Sequence, residues 1–273
     1  MNLKIILDKL KILFFKKSEF AFKYFEVHLT EHCNLNCQSC FHFSCLAEEE
    51  YADINMFEKD FKRMSELSNG KIESFLLLGG EPLLHPELHS FFEISRKYFP
   101  KADIQLVTNG VLLPVQGENF WIAMKKNNII LRPTKYPINI DYKKIEEKAR
   151  EYNIRVHYFN DIKISSKIPL NIEGKLNPRK THKRCGCKTC YILNKGKIYP
   201  CSTAGNIYHF IKYFNLNIKN DEKNGIDIYK AKDIYEIDNF LKKTIPLCKH
   251  CRGVCLMYKE WAVTKKDINE WVE

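Results

Sequence analysis

The hydrophobic positions change their period repeatedly along the first 160 or so residues. Leu3, Ile6, Leu7, Leu10, Leu13 and Phe14 share one helical face, with Lys4, Asp8 and Lys11 elsewhere. This predicts an amphipathic helix over 1–22 that packs on its own protein, with peripheral contact to an anionic membrane as the rival reading. Tyr24–Thr30 alternates and is rich in β-formers, so a first strand is expected there. Asp53 is placed to cap a helix carrying Phe57, Phe61 and Met64. Ile72–Leu78 ends in an unbroken apolar run, as a strand buried on both faces does. Leu88, Phe91, Phe92 and Phe99 predict a helix stopped by Pro100. A strand at Asp103–Val107, a helix at Asn119–Lys126 and a strand at Asn128–Leu131 follow. Tyr142, Ile145, Ala149 and Tyr152 mark a further helix before a strand at Ile154–Tyr158.

Strand and helix thus alternate about five times, which calls for an α/β fold with a parallel sheet and right-handed crossovers. Periodicity leaves an open doubly wound sheet and a barrel both possible. Cys33, Gly79 and Thr108 fall just past predicted strand ends, where either architecture holds its ligands. Near residue 166 the rhythm stops and cysteines crowd in. A core over 23–165 and a smaller Cys-rich domain over 166–273 are the expected division.

Lys and Arg outnumber acids by 44 to 33, a balance that suits an anionic small molecule. The basic residues are scattered and mostly Lys, which argues against dedicated nucleic-acid binding. Eleven cysteines would suit a small disulfide-stapled secreted protein, but the N-terminal stretch lacks a small-residue cleavage site and is broken by charges. A cytoplasmic setting with cysteines as metal ligands is therefore expected.

Cys33, Cys37 and Cys40 form C-x3-C-x2-C directly after the first strand. Three thiolates in so short a loop can hold three irons of a 4Fe–4S cube and leave the fourth open to a small molecule. A three-Cys zinc site competes. With Gly79-Gly80-Glu81-Pro82 after the second strand and Thr108-Asn109-Gly110 after the third, the order of motifs resembles the radical S-adenosylmethionine (SAM) superfamily. The resemblance implies a partial (β/α)6 TIM-like barrel, with SAM chelating the open iron through its amino and carboxylate groups. It implies that Gly79 and Gly80 let the backbone approach the methionine moiety. Gly80→Val is then expected to weaken SAM binding while leaving the cluster intact. Glu81 would assist, Pro82 would stiffen the turn, and Thr108 and Asn109 would contact the cofactor. Many members carry an aromatic residue before the third cysteine, where this chain has Ser39; Phe41 or Phe43 is the expected substitute. The implied chemistry is reduction by a flavodoxin or ferredoxin, cleavage of SAM, and hydrogen abstraction by a 5′-deoxyadenosyl radical.

Seven cysteines lie beyond residue 184. Asn194-Lys195-Gly196 predicts a three-residue hairpin turn between Ile192 and Ile198. Cys185, ten residues, Gly196, four residues and Cys201 are similar to the hairpin signature of twitch or SPASM auxiliary domains. This implies one auxiliary Fe–S cluster, a second 4Fe–4S centre, with four ligands drawn from Cys185, Cys190, Cys201, Cys248 and Cys251. A zinc site from Cys187-x2-Cys190 and Cys248-x2-Cys251 is the alternative. Cys187, Cys255 and Cys45 are then spare, and Cys187 and Cys255 are candidate hydrogen-atom donors in an epimerisation. The runs HCNLNCQSCFHFSCLAEEE, LLGGEPLLHPEL and KIYPC through NIYHFIKYFN look like radical enzymes of bacterial surface-polysaccharide gene clusters. That likeness implies a sugar or nucleotide-sugar substrate. A peptide-modifying maturase is an alternative, though only 32 residues precede Cys33. A non-catalytic Fe–S or zinc nucleic-acid module is the rival from another class, and it gives GGEP no role.

Overall fold

The computed structural model describes residues 21–273, so the helix expected over 1–22 lies outside the described residues apart from its last two positions. The chain builds an eight-stranded sheet flanked by helices. Five parallel strands run in chain order: β1 (Phe22–Thr30), β2 (Ile72–Gly79), β3 (Asp103–Thr108), β4 (Ile130–Lys135) and β5 (Asn160–Asp161). Helices α1 (Ile54–Ser68), α2 (Leu88–Tyr98), α3 (Glu118–Lys126) and α4 (Tyr142–Glu151) make the crossovers. Asp53 caps α1 through Met56 N at 2.8 Å, as its position predicts.

Two strand boundaries differ from the sequence reading for definable reasons. β4 runs on through Pro133, a residue normally excluded from inner strands because it cannot donate to the ladder. Its carbonyl still serves, accepting from Phe159 N at 2.9 Å. The stretch expected as a strand at Ile154–Tyr158 does run beside β4, with His157 N donating to Leu131 O at 2.9 Å, but the regular pairing comes later, at β5.

The Cys-rich half holds β6 (Ile164–Lys167), α5 (Pro178–Arg184), β7 (Ile192–Asn194), β8 (Lys197–Tyr199), α6 (Ser202–Tyr213), β9 (Ile226–Asp227), α7 (Ile234–Leu241) and β10 (Leu256–Glu260). β7 pairs parallel to the free edge of β1, with Glu26 opposite Ile192, so β1 lies inside the sheet rather than at its rim. The β7–β8 turn is a two-residue one, not the expected three. Lys195 and Gly196 have φ of 46° and 75°, the double left-handed geometry of a type I′ hairpin. β10 pairs antiparallel with β6.

Strand alternation sorts β1 cleanly. Phe25, Val27 and Leu29 enter the main core with Phe57, Phe61, Phe75, Phe91 and Phe99 on the helical side. Tyr24, Glu26 and His28 face the other way. A second apolar cluster joins Phe43, Cys45 and Leu46 of the first cysteine loop to Ala204, Phe210, Leu247 and Trp271. Cys40, Cys201, Cys248 and Cys251 pack against that same cluster. Among the described residues no helix is long and apolar enough to cross a membrane.

Candidate functional site

The loop that follows β1 is locked to the GGEP turn backbone to backbone. Gly80 N donates to Thr30 O at 2.8 Å and Glu81 N to His32 O at 3.1 Å. A Cβ on Gly79 would stand 2.2 Å from Thr30 O, and one on Gly80 2.0 Å from His32 O. Both glycines are therefore demanded by the chain's own backbone, Gly79 by the end of β1 and Gly80 by the cysteine loop. At Gly80 an added side chain would press on the cysteine loop itself, which weighs against the expectation that Gly80→Val would spare the cluster site.

Glu81 is fully buried and collects three donors: Thr108 Oγ1 at 2.7 Å, Asn109 N at 2.8 Å and Leu83 N at 3.0 Å. Burial pushes its carboxyl up to about 7, with those donors opposing the rise. Its side chain clasps the ends of β2 and β3. Thr108 is spent in the same clasp, since its hydroxyl also accepts from Gly110 N at 3.0 Å. Asn109 reaches the cysteine loop, where Nδ2 donates to Asn34 Oδ1 at 2.7 Å and lies 3.7 Å from Cys33 Sγ. Pro82 opens a buried 3-10 turn over Pro82–Leu84.

Burial pushes the Cys33 thiol up to about 12, with Glu81, Cys40 and Cys37 adding to the rise. Burial and Cys40 push Cys37 up to about 11. Cys40 is raised by burial, against N–H groups of Ser44, His42 and Phe43 that face its sulfur. Three mutually sensed thiols that hold their protons until a cation arrives suit an iron–sulfur cluster. Phe41 is half-buried beside them. Phe43 is instead core, 5.4 Å from Phe210 and 6.4 Å from Trp271 between ring centroids. Two aromatic residues that the sequence reading missed flank Cys37: Tyr136, one residue past β4, and Trp261, one residue past β10. The strand-end rule that singled out Gly79 and Thr108 also applies to Tyr136.

The second cysteine group gathers around the start of α6. Cys201 caps that helix in extended backbone, and burial raises its thiol, with Cys251, Cys185 and Cys248 adding to the effect. Burial pushes Cys251 up to about 12, again with Cys185 and Cys248. Cys187 and Cys190 sit side by side, with Cys190 N donating to Cys187 O at 3.2 Å; the neighbouring Cys187 thiol and burial hold Cys190 up, with Glu26 and Cys201 adding to the rise. That pair lies toward Glu26. Cys45 is buried in the second apolar cluster, and Cys255 is exposed just before β10. Among the described residues no three His, Cys, Asp or Glu side chains converge tightly enough to share one metal ion.

On the inner face of the sheet, Tyr24 OH donates to Glu26, whose carboxyl is raised by burial. Glu31 Oε2 is shared by His28 Nδ1 at 3.1 Å and His209 Nε2 at 2.9 Å. Burial opposes ionisation of Glu31, yet these two histidines hold its carboxyl well below the usual range. Burial and His28 push His42 down to about 3, so its 3.9 Å approach to Glu26 joins a neutral ring to the acid. Arg132 Nη1 donates to Gln105 Oε1 at 2.6 Å, and its guanidinium lies 4.8 Å from the Phe159 ring centroid. Glu26 Oε2, His28 Nε2 and Arg132 Nε are buried and unpartnered. A cavity of about 320 Å³ beside β1 and α1 is lined by Glu50, Asp60 and Lys195 among others. Its charged lining is already engaged, with Lys195 on Glu50 and Tyr229 on Asp60.

Comparison with known proteins agrees with this geometry. The chain is 35% identical over 112 residues to a GTP 3′,8-cyclase of Sulfurovum sp. (strain NBC37-1), covering 40% of this chain and 33% of that enzyme. It is 25% identical to the GTP 3′,8-cyclase of Aliarcobacter butzleri (strain RM4018), over 77% of this chain and 61% of that one. The chain thus spans less than two thirds of these relatives. A GTP 3′,8-cyclase of Campylobacter jejuni (strain RM1221) is 24% identical over 92% of this chain and 87% of its own length. Among solved structures, that of BtrN in complex with AdoMet and 2-DOIA superposes with a TM-score of 0.54 at 19% identity, covering 85% of this chain and 94% of that one. Native anSMEcpe with bound AdoMet gives 0.51 at 17% identity over 84% and 83%. Both share the fold, which is the mostly parallel α/β sheet of a partial barrel. The Radical SAM superfamily profile matches residues 27–163, from the middle of β1 past β5. The chain belongs to the Radical SAM superfamily.

Proposed function

We propose that this enzyme abstracts a hydrogen atom from a phosphorylated, sugar-bearing substrate held on the inner face of the sheet. The observation that carries this reading is the set of buried unpartnered atoms there: Glu26 Oε2, His28 Nε2 and Arg132 Nε. Leaving such groups bare costs about 1–3 kcal/mol each, which a hydroxyl-rich, anionic ligand would offset. The carboxylate and imidazole suit sugar hydroxyls, and the guanidinium suits a phosphate.

Cys33, Cys37 and Cys40 would hold the first cluster, with SAM at the fourth iron. When bound, that pair supplies a 5′-deoxyadenosyl radical. The protein's own share is to orient the substrate, exclude water and fix the cysteine loop through Gly79, Gly80 and Glu81. Cys185, Cys201, Cys248 and Cys251 would hold an auxiliary cluster. Beyond the effect of burial, Cys201 is raised by Cys251, Cys185 and Cys248, and Cys251 by Cys185 and Cys248, which supports one centre shared by these thiols, and the family's iron–sulfur chemistry favours a cluster there over zinc. Cys190, first expected among these ligands, is instead assigned to the Cys187 pair.

That pair, rather than the exposed Cys255, is the proposed hydrogen-atom source. Cys190 S–H gives its hydrogen to the substrate radical, so one C–H bond forms and one S–H bond breaks. The resulting thiyl returns to thiol by taking one electron from the flavodoxin or ferredoxin reductant and one proton from solvent.

A second reading, cyclisation of GTP, is supported by the names of the relatives. One incubation separates the two. Anaerobically reconstituted enzyme with SAM and reductant is given GTP or a panel of nucleotide-sugars in deuterated water. Nucleotide-sugar-dependent 5′-deoxyadenosine with deuterium in the product supports the sugar reading. Conversion of GTP alone replaces it.

A further inference from the structure

Ser39 stands before Cys40 with φ of 58°, left-handed backbone that bulky side chains disfavour. Its hydroxyl turns to the C-terminal segment and donates to Glu270 O at 2.8 Å. That segment returns along the cysteine loop. Gln38 N donates to Ala262 O at 2.9 Å and Thr264 N to Asn36 O at 2.8 Å, with Cys37 bridged to Val263. Trp271 Nε1 donates to Cys40 O at 3.0 Å, and buried Glu270 accepts from Lys265 N at 2.8 Å.

This pairing delivers Trp261 to Tyr136, with ring centroids 5.7 Å apart. Both polar ends lie toward the Cys37 thiol. Trp261 Nε1 is nonetheless buried without an acceptor in hydrogen-bond geometry. An indole N–H beside a cysteine ligand and short of any protein acceptor fits a sulfur of a bound cluster.

We propose that Tyr136 and Trp261 are the aromatic cover of the first cluster, and that their O–H and N–H groups set its reduction potential. Hydrogen bonds to cluster sulfurs and exclusion of solvent are the protein's main controls on such potentials. Donors stabilise the more negative, reduced cluster, so removing them makes reduction harder. The two act as positioning residues through the cluster, standing in for the aromatic residue that the loop lacks immediately before Cys40. The proposal rests on the reading of Cys33, Cys37 and Cys40 as ligands.

The test is a redox titration of the anaerobically reconstituted protein, following the electron paramagnetic resonance signal that changes when SAM is added. Tyr136→Phe and Trp261→Phe each keep an aromatic ring and lose the donor. Each should retain wild-type iron, and each should lower the ratio of reduced to oxidised cluster at fixed potential by up to tenfold, a shift of up to ~59 mV to the negative side. The double variant should shift further. Trp121→Phe is the matched control: its indole nitrogen is also buried and unpartnered, but it sits in the α3 core. It should leave the midpoint alone. Should Trp261→Phe lose iron, Tyr136→Phe carries the test by itself. Unchanged midpoints in every variant that holds iron, or an equal shift in Trp121→Phe, would overturn the proposal. Survival of the SAM-responsive signal after Cys33, Cys37 and Cys40 are all changed to Ala would instead overturn the ligand reading.

Discussion

The carbonyl oxygen of His32 lies 2.0 Å from where a Cβ on Gly80 would stand. Backbone cannot yield as a flexible side chain can, so even Gly80→Ala must displace the cysteine loop. The reconstituted variant is expected to fall from about eight irons to about four and to lose SAM cleavage. Iron analysis checks this, and wild-type iron with weakened SAM binding would restore the cofactor-only role.

Replacing Cys33, Cys37 and Cys40 together by Ala should remove about half the iron and all 5′-deoxyadenosine formation. Replacing Cys201 and Cys251 should remove the other half and leave the SAM-responsive signal in place. Loss of both clusters in either variant would mean that the shared apolar cluster, which touches both cysteine groups, makes loading interdependent.

The thiol pair gives a sharper outcome. Cys190→Ala should keep iron content and 5′-deoxyadenosine formation but abolish solvent deuterium in the product, while Cys255→Ala should behave as wild type. Cys187→Ala should slow turnover with deuterium still delivered. Full deuterium incorporation in Cys190→Ala would exclude it as donor.

Glu81 supplies a pH signature. Its folded value of about 7 lies above the ordinary 4.5, so the folded chain holds this proton more tightly than the unfolded chain. The stability it adds is fully present below about 4.5 and is lost as pH rises through about 7. The effect is about 3 kcal/mol at most. Denaturant unfolding of the cluster-free chain from pH 5 to 7.5 should show this loss, and Glu81→Gln should flatten it.

The sequence by itself determined the parallel alternation, the Asp53 cap, the hairpin and the three strand-end motifs. Each of these rests on local chemistry: period, capping oxygens, positive-φ glycine and short cysteine spacing. It could place the glycines but not say what approaches them, because the nearest atoms belong to a loop nearly fifty residues away. Tertiary structure alone decided that β7 closes on β1, that Cys187 and Cys190 come to lie near Glu26, and that the C-terminal segment returns Trp261 to Cys37. The meetings with Glu26, with β1 and with Cys37 join residues from about 160 to more than 220 positions apart. No periodic pattern records such a meeting, since it depends on which faces and edges remain unpaired once the sheet has formed. Pro133 marks the limit from the other side. Its carbonyl accepts while its missing N–H is tolerated, a bargain that only neighbouring strands can strike.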